Sequence, residues 1–307
     1  MPDTLAHFGV QILASKVVFR QADVRWIGLG CLLPDLPWML QRAILPLNLF
    51  NPVNLRLYAV IQSSLFFCLL LVGAISLQTE QSRRIFLLLA WNCLLHLLLD
   101  PMEIKWGNGT LLAAPFSWQL TKFAWFWPDE LPSLLLAAAG LLLFPVVAWR
   151  ARRQEVRFLK SGKRQSAGLL LLLMYFLLPF GFFSGPLQAD NHFAATLLAQ
   201  NRSGRLIEFD RRPYNAAEQR LLSYSGEELR LTGTNGSLPA QDGTLSVQGR
   251  FIDQQTIAVS AWHLHRSRRD LHSKVGIFLL LLIWSVALSA KRITIQDVAS
   301  LQQETVL

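Results

Sequence analysis

IFLLLAWNCLLHLLLD, residues Ile85–Asp100, is an almost wholly apolar run that closes with an imidazole and a carboxylate one helical turn apart. Spacing i,i+4 puts His96 and Asp100 on one helix face. The run predicts a membrane-embedded helix. Lipid penalises ionisable side chains, so a pair of them in such a helix faces a bundle interior, a partner or a cavity.

The rest of the composition agrees. The 307 residues are 52% hydrophobic and only 16% charged, below the roughly 25% of soluble domains. The formal charge of +9 would suggest nucleic acid in a soluble protein. Here the basic residues lie mostly in short loops beside apolar runs, so membrane topology explains them and no nucleic-acid partner is expected. Cys31, Cys68 and Cys93 sit in apolar stretches without metal-binding spacing and read as small buried hydrophobes. Met1-Pro2-Asp3-Thr4 lacks the basic region of a signal peptide, so insertion through the chain's own helices is expected.

Segments at roughly 58–77, 85–100, 133–149, 168–184 and 275–290 are expected spans. Two further apolar pieces, at about 5–18 and 26–42, could each be a short span, a re-entrant helix or an interfacial helix. Arg150, Arg152, Arg153, Arg157, Lys160, Lys163 and Arg164 mark 150–164 as cytoplasmic, and Arg83, Arg84, Lys291 and Arg292 agree. Alternation then puts 101–132 and 185–274 outside.

Segment 185–274 turns sharply polar. Helical stretches are expected near 190–201 and 214–222. Strand-like runs follow at 205–209, 228–232, 244–252 and 256–265. The expected fold is therefore a mainly α, polytopic membrane helical bundle with an inserted small α+β domain of antiparallel sheet. Its parts are a membrane domain at 1–184, an extracytoplasmic domain at 185–274, a final span at 275–290 and a cytoplasmic tail at 291–307.

Four residues in apolar contexts could converge on one site: His7, Asp35, His96 and Asp100. Asp35 is bracketed by Pro34 and Pro37, which break a helix and can aim a side chain into a cavity. Neutral imidazoles with carboxylates suit zinc and other divalent metals. Each residue also has an ordinary explanation. His96 could be an interhelical donor, Asp100 a surface marker before Pro101, and Asp35 a partner of Arg25 or Arg42. Four together favour a site.

At these positions the chain resembles the membrane-bound metal-dependent hydrolases of bacteria and archaea, which are distantly similar to zinc-dependent phospholipase C. The resemblance rests on Met1–Gly9, on Leu32-Leu33-Pro34-Asp35, on His96-x-x-x-Asp100 and on the stretch from Asp100 through Gly107 to Pro115-Phe116-Ser117, and it covers about residues 1–150. It implies His7, Asp35, His96 and Asp100 as metal ligands, with Asp35 and Asp100 as catalytic carboxylates. One departure is that Ser63 stands where the family carries a further histidine.

The loop 101–132 is rich in tryptophan and reads as an interfacial belt or a lid. Its Asp129 or Glu130 could reach the metal cluster or cap the following helix. His263 and His265 share one face of a strand, and His272 follows. Arg266, Arg268 and Arg269 could meet lipid headgroups. These features together imply an inner-membrane hydrolase acting near the outer leaflet on a lipid or other membrane-associated ester or phosphoester. The alternative is a non-catalytic scaffold of envelope assembly that binds an envelope protein through 185–274.

Overall fold

The computed structural model describes residues 4–151, 156–160, 162–233, 237–266, 270–289 and 293–297. Arg152, Arg153, Arg268, Arg269, Lys291 and Arg292 lie outside the described residues, as does most of the expected tail at 291–307.

The chain opens with helices α1 (Thr4–Val18), α2 (Val24–Leu32), α3 (Leu36–Ile44), α4 (Pro52–Gln62), α5 (Leu65–Ser76) and α6 (Ser82–Leu99). After a long loop come α7 (Leu131–Ala151), strand β1 (Val156–Lys160) and α8 (Gly162–Leu177), then the short α9 (Ser184–Gln188) and α10 (Ala194–Leu198). Strands β2 (Leu206–Asn215), β3 (Arg220–Leu222), β4 (Glu228–Gly233), β5 (Gly243–Phe251) and β6 (Thr256–His265) follow, then α11 (Asp270–Ser289) and β7 (Ile293–Asp297).

Among the described residues, two helical segments are long and apolar enough to cross a membrane, Ser82–Met102 and Gly162–Gln188. α4 and α5 qualify only as a pair, bent by 68°. Thr4–Val18, Leu131–Pro145 and Ser273–Val286 are shorter apolar helices. This overturns the expected polytopic helical bundle. The architecture is a helical layer with two candidate spans, or three if the bent pair counts as one, joined to a closed five-strand β barrel. The physical reasons are local. Ser63 and Ser64 break the expected span at 58–77. A 15-residue helix such as α1 is only about 22 Å long, against the ~30 Å of a hydrocarbon core.

The helical layer has two ends. At one end Arg84 donates to the Gln21 carbonyl, Arg157 pairs with Glu80, and Trp26 meets both Phe158 and Trp284. β1 and β7 form a parallel pair there, tied to Thr79 through Phe158. At the other end α4 lends Val53 and Leu57 to the core of the barrel.

The barrel runs β2-β3-β4-β6-β5. Its pairs are antiparallel except β4 with β6, which is parallel, so the expected all-antiparallel sheet is also corrected. Period-two burial fills it with Ile207, Phe209, Leu229, Leu231, Leu245 and Val247. The helix expected at 214–222 does not form. Tyr214 points inward from β2, Asn215 Oδ1 accepts from the Glu218 amide in a turn, and β3 follows.

α1 lies against α7 at a glycine crossing. A Cβ built on Gly140 would stand 2.2 Å from the Leu5 carbonyl oxygen, and one on Gly9 would stand 2.6 Å from Gly140 Cα. Small residues here let the two backbones touch. Gly140→Ala should therefore destabilise the protein by about 1–3 kcal/mol despite alanine's better helix propensity, because the helices must separate. Thermal unfolding in detergent measures this, and an unchanged or raised Tm would refute the close contact.

Candidate metal centre and anion pocket

Three separate pieces of local structure carry the four expected residues. His7 lies one turn into α1 and is fixed by the α1–α7 contact. Asp35 closes a 3-10 turn, Leu33–Asp35, between α2 and α3, with Pro34 inside the turn and Pro37 in the first turn of α3. His96 and Asp100 end α6, where Pro101 stops the helix.

The structure brings all four together. His7 Nε2 is 3.6 Å from Asp100 Oδ1, and His96 Nε2 is 3.8 Å from both Asp35 Oδ1 and Asp100 Oδ1. The two imidazoles meet edge-on, with their Nδ1 atoms 3.4 Å apart. His7, Asp35 and His96 are buried. His96 Nε2 and Asp35 Oδ2 are enclosed yet have no hydrogen-bond partner, whereas Asp100 Oδ1 is ion-paired with Lys105. Buried polar atoms are nearly always satisfied, so two orphans in one cluster call for an explanation. Burial also pushes the Asp35 carboxyl up, more than the nearby His96 pulls it down.

Of the ordinary pairings, His96 does make an interhelical contact with His7, but Asp35 does not pair with Arg25. Arg25 forks onto Asp23 instead of Asp35. Ser63 lines the same cavity, but its hydroxyl donates to the Val60 carbonyl and caps α4.

Sequence reasoning missed Lys105 and Glu103. Lys105 Nζ is 3.2 Å from Asp100 Oδ1 and 3.2 Å from Glu103 Oε2, and both residues are buried. Burial opposes the charge on Lys105, but the two carboxylates hold its ammonium above the ordinary value. The one available signal was the charge alternation Glu103-x-Lys105 just after the helix end.

A cavity of about 130 Å³ opens beside the cluster, and the barrel forms its other wall. β2 is irregular there: its register with β5 shifts between Phe209 and Arg212, and Arg211 has φ 51°. This bulge turns Asp210, Arg211 and Arg212 toward the cavity. Arg42 of α3 and Arg56 of α4 line it too. The Arg56 guanidinium is sandwiched 4.8 Å from the Trp38 ring centre and 4.9 Å from that of Tyr224, and contacts His192 Nδ1 at 3.1 Å. Arg212 donates to the Leu222 and Ser223 carbonyls. Burial and the neighbouring Arg42 push the Arg212 guanidinium down to about 10. Among the described residues neither Arg56 nor Arg212 pairs with a carboxylate. Guanidiniums crowded this way suit an anionic ligand.

Asp129 and Glu130 do not reach the cluster. Asp129 instead accepts from His263 at 3.1 Å, and Glu130 Oε2 accepts from the Trp127 amide at 3.1 Å. Two His/Asp groups could thus hold a metal ion, His7–His96–Asp100 and Asp129–His263–His265. His272, whose side chain is outside the described set, belongs to neither as described.

No family model matches the chain, no curated protein matches it, and no solved structure matches it.

Asp210 anchors the barrel side of the cavity. Arg211 Nε donates to its Oδ2 at 2.9 Å, and Ser246 Oγ lies 3.3 Å from its Oδ1. Burial would raise this carboxyl, but Arg211, Lys105 and His265 together hold it below the usual value of 3.8. A carboxyl depressed on folding stabilises the fold fully above its unfolded pKa and loses that contribution as pH falls through its native value. Unfolding midpoints should therefore drop below about pH 4 in the native chain, and drop less in Asp210→Asn, which starts lower at pH 7. Parallel acid slopes for the two proteins would show that Asp210 does not carry the effect.

Proposed function

We propose that this chain is a membrane-embedded, metal-dependent hydrolase that cleaves a phosphoester or other anionic ester at the junction of helical layer and barrel. The carrying observation is the quartet of buried His7, Asp35 and His96 with half-buried Asp100, in which His96 Nε2 and Asp35 Oδ2 are left without hydrogen-bond partners. The donor set fits a divalent cation. Three carboxyl groups, Asp35, Asp100 and Glu103, share the cluster with the single ammonium of Lys105. Imidazole with carboxylate is the zinc-preferring combination.

A bound zinc-class ion would supply Lewis-acid polarisation and a water of lowered pKa. Everything else falls to the chain. Asp100 is held by His7, His96 and Lys105, which makes it the fixed carboxylate of the site. Asp35 keeps Oδ2 free and is the proton acceptor. Arg42, Arg56 and Arg212 orient the anionic group of the substrate across the cavity, and Trp38 and Tyr224 keep the Arg56 fork flat.

The resemblance of Met1–Gly9, Leu32–Asp35 and His96–Asp100 to membrane-bound metal-dependent hydrolases supports the same reading. It also supports placement in a bacterial inner membrane. Arg84, Arg157 and Arg164 gather at the end of the layer away from the barrel, which favours a cytoplasmic face there and an extracytoplasmic barrel.

One observation favours a second reading, a degenerate site in a non-catalytic envelope scaffold. Lys105 already places a cation on the Asp100 oxygen that a metal would use, and Ser63 stands where the family has histidine. Metal analysis of the purified full chain separates the two. The hydrolase predicts an equivalent of zinc that is lost in both His96→Ala and Asp35→Ala, and tighter retention in Lys105→Met. Protein from which these variants remove no metal, and whose cellular role survives both, would be the scaffold. Arg56→Ala should raise KM for a phosphoester at least tenfold while leaving metal content unchanged, as one lost charge-assisted contact of about 1.5–3 kcal/mol requires.

A further inference from the structure

The second group of metal-capable side chains joins the two halves of the molecule. Asp129 lies in the loop ahead of α7, and His263 and His265 project from one face of β6. Asp129 Oδ1 is 3.1 Å from His263 Nε2 and 3.8 Å from His265 Nδ1.

A plain carboxylate–histidine pair explains only part of this. His265 is 7% exposed, and its Nδ1 is enclosed without a hydrogen-bond partner. At 3.8 Å that nitrogen is too far from Asp129 for a hydrogen bond. Two ligands on one tetrahedral zinc, each about 2.0–2.1 Å from it, lie about 3.3 Å apart, so the measured spacings bracket the requirement.

The surroundings are those of a ligand set. The other nitrogen of His265, Nε2, contacts Ser246 Oγ at 2.8 Å, which fixes the ring and leaves Nδ1 aimed at Asp129. Trp127 stacks on His263 with centroids 3.9 Å apart and planes 5° from parallel. Ser246 Oγ donates to Asp210 Oδ1, so it accepts from His265 Nε2–H, and the lone pair of His265 is left on Nδ1.

We propose that Asp129, His263 and His265 form a second, separate site for a zinc-class divalent cation, one that clamps the loop before α7 to the last strand of the barrel. Two imidazoles with one carboxylate favour zinc and its transition-metal neighbours over calcium or magnesium. His263 is about a quarter exposed, so the ion has a route in from solvent and a water can complete its shell. The clamp joins positions 134 residues apart and closes a long loop of chain. It stands whether or not the first site binds metal.

The test uses the full chain in detergent, with zinc content and zinc-dependent Tm measured in a His96→Ala/Asp35→Ala background that disables the first site. One equivalent should remain, zinc should raise Tm, and cobalt in its place should give a tetrahedral visible spectrum. Asp129→Asn and His263→Gln, which leave the buried His265 in place, should each abolish the equivalent and the Tm shift. Ser246→Ala should weaken zinc binding about 10–100-fold while the spectrum keeps its tetrahedral form. A folded background protein that takes up no zinc, or one whose zinc survives both Asp129→Asn and His263→Gln, overturns the proposal. A native chain whose metal is insensitive to His96→Ala but lost in His263→Gln would refute the hydrolase centre and leave the clamp standing.

Discussion

The helical half is organised around the burial of two imidazoles and two carboxylates where three chain segments end. Ionisable groups without water must find partners, and here they find mainly one another. His7 can reach Asp100 only because α1 touches α7 through Gly9 and Gly140. Asp35 can reach His96 only because a 3-10 turn flanked by prolines interrupts the path from α2 to α3. Asn92, one turn below His96 on α6, accepts from Ser15 of α1 and so sets the height of the two helices against each other. The backbone irregularities of this half are thus the means by which the cluster closes.

The barrel closes the site from the other side. Glu208 of β2 accepts from the Gly107 amide at 2.6 Å and faces Lys122, so the loop after α6 is held against the barrel wall. Gly107 has φ +69°, and a Cβ there would meet the Glu208 carbonyl oxygen at 2.5 Å, which is why this contact needs glycine. Two residues further along β2 the bulge delivers Asp210 and Arg211 to the cavity. One strand therefore both docks the domain and furnishes the site.

What the sequence made legible was the convergence of four polar residues more than the architecture. His7, Asp35, His96 and Asp100 stood out because each is costly in an apolar context, and cost can be judged residue by residue. The spans were harder. Hydropathy reports apolar length but not continuity, so Ile61–Leu65 read as the middle of a span while Ser63 and Ser64 in fact break it into two helices bent by 68°. Barrel closure was illegible because it depends on β4 and β6 pairing in parallel across 22 intervening residues. The helix expected at 214–222 failed because Ala216-Ala217-Glu218 has local helical character, whereas Tyr214 and Leu221 are claimed by the barrel core. The arginine wall was invisible because Arg42, Arg56 and Arg212 come from three distant elements, and only the fold makes them neighbours.

The resulting cavity is electrically divided. Asp35, His96 and Asp100 of the helical layer form one face, and Arg42, Arg56 and the Asp210–Arg211–Arg212 turn of β2 form the other. A single small cation would satisfy only the first face, and a single anion only the second. Lys105 partly balances the negative face, its ammonium shared between Asp100 and Glu103, and being a cation it does nothing for the guanidinium face. The proposed function calls for a ligand with both signs in sequence: a cation against Asp35 and Asp100, and an anionic group reaching from it toward Arg56 and Arg212. A metal with a phosphoryl or carboxyl group has that polarity. Each wall is partly balanced within itself, Lys105 against Asp100 and Glu103 on one side and Arg211 against Asp210 on the other, and the proposed ligand would meet the charge left over.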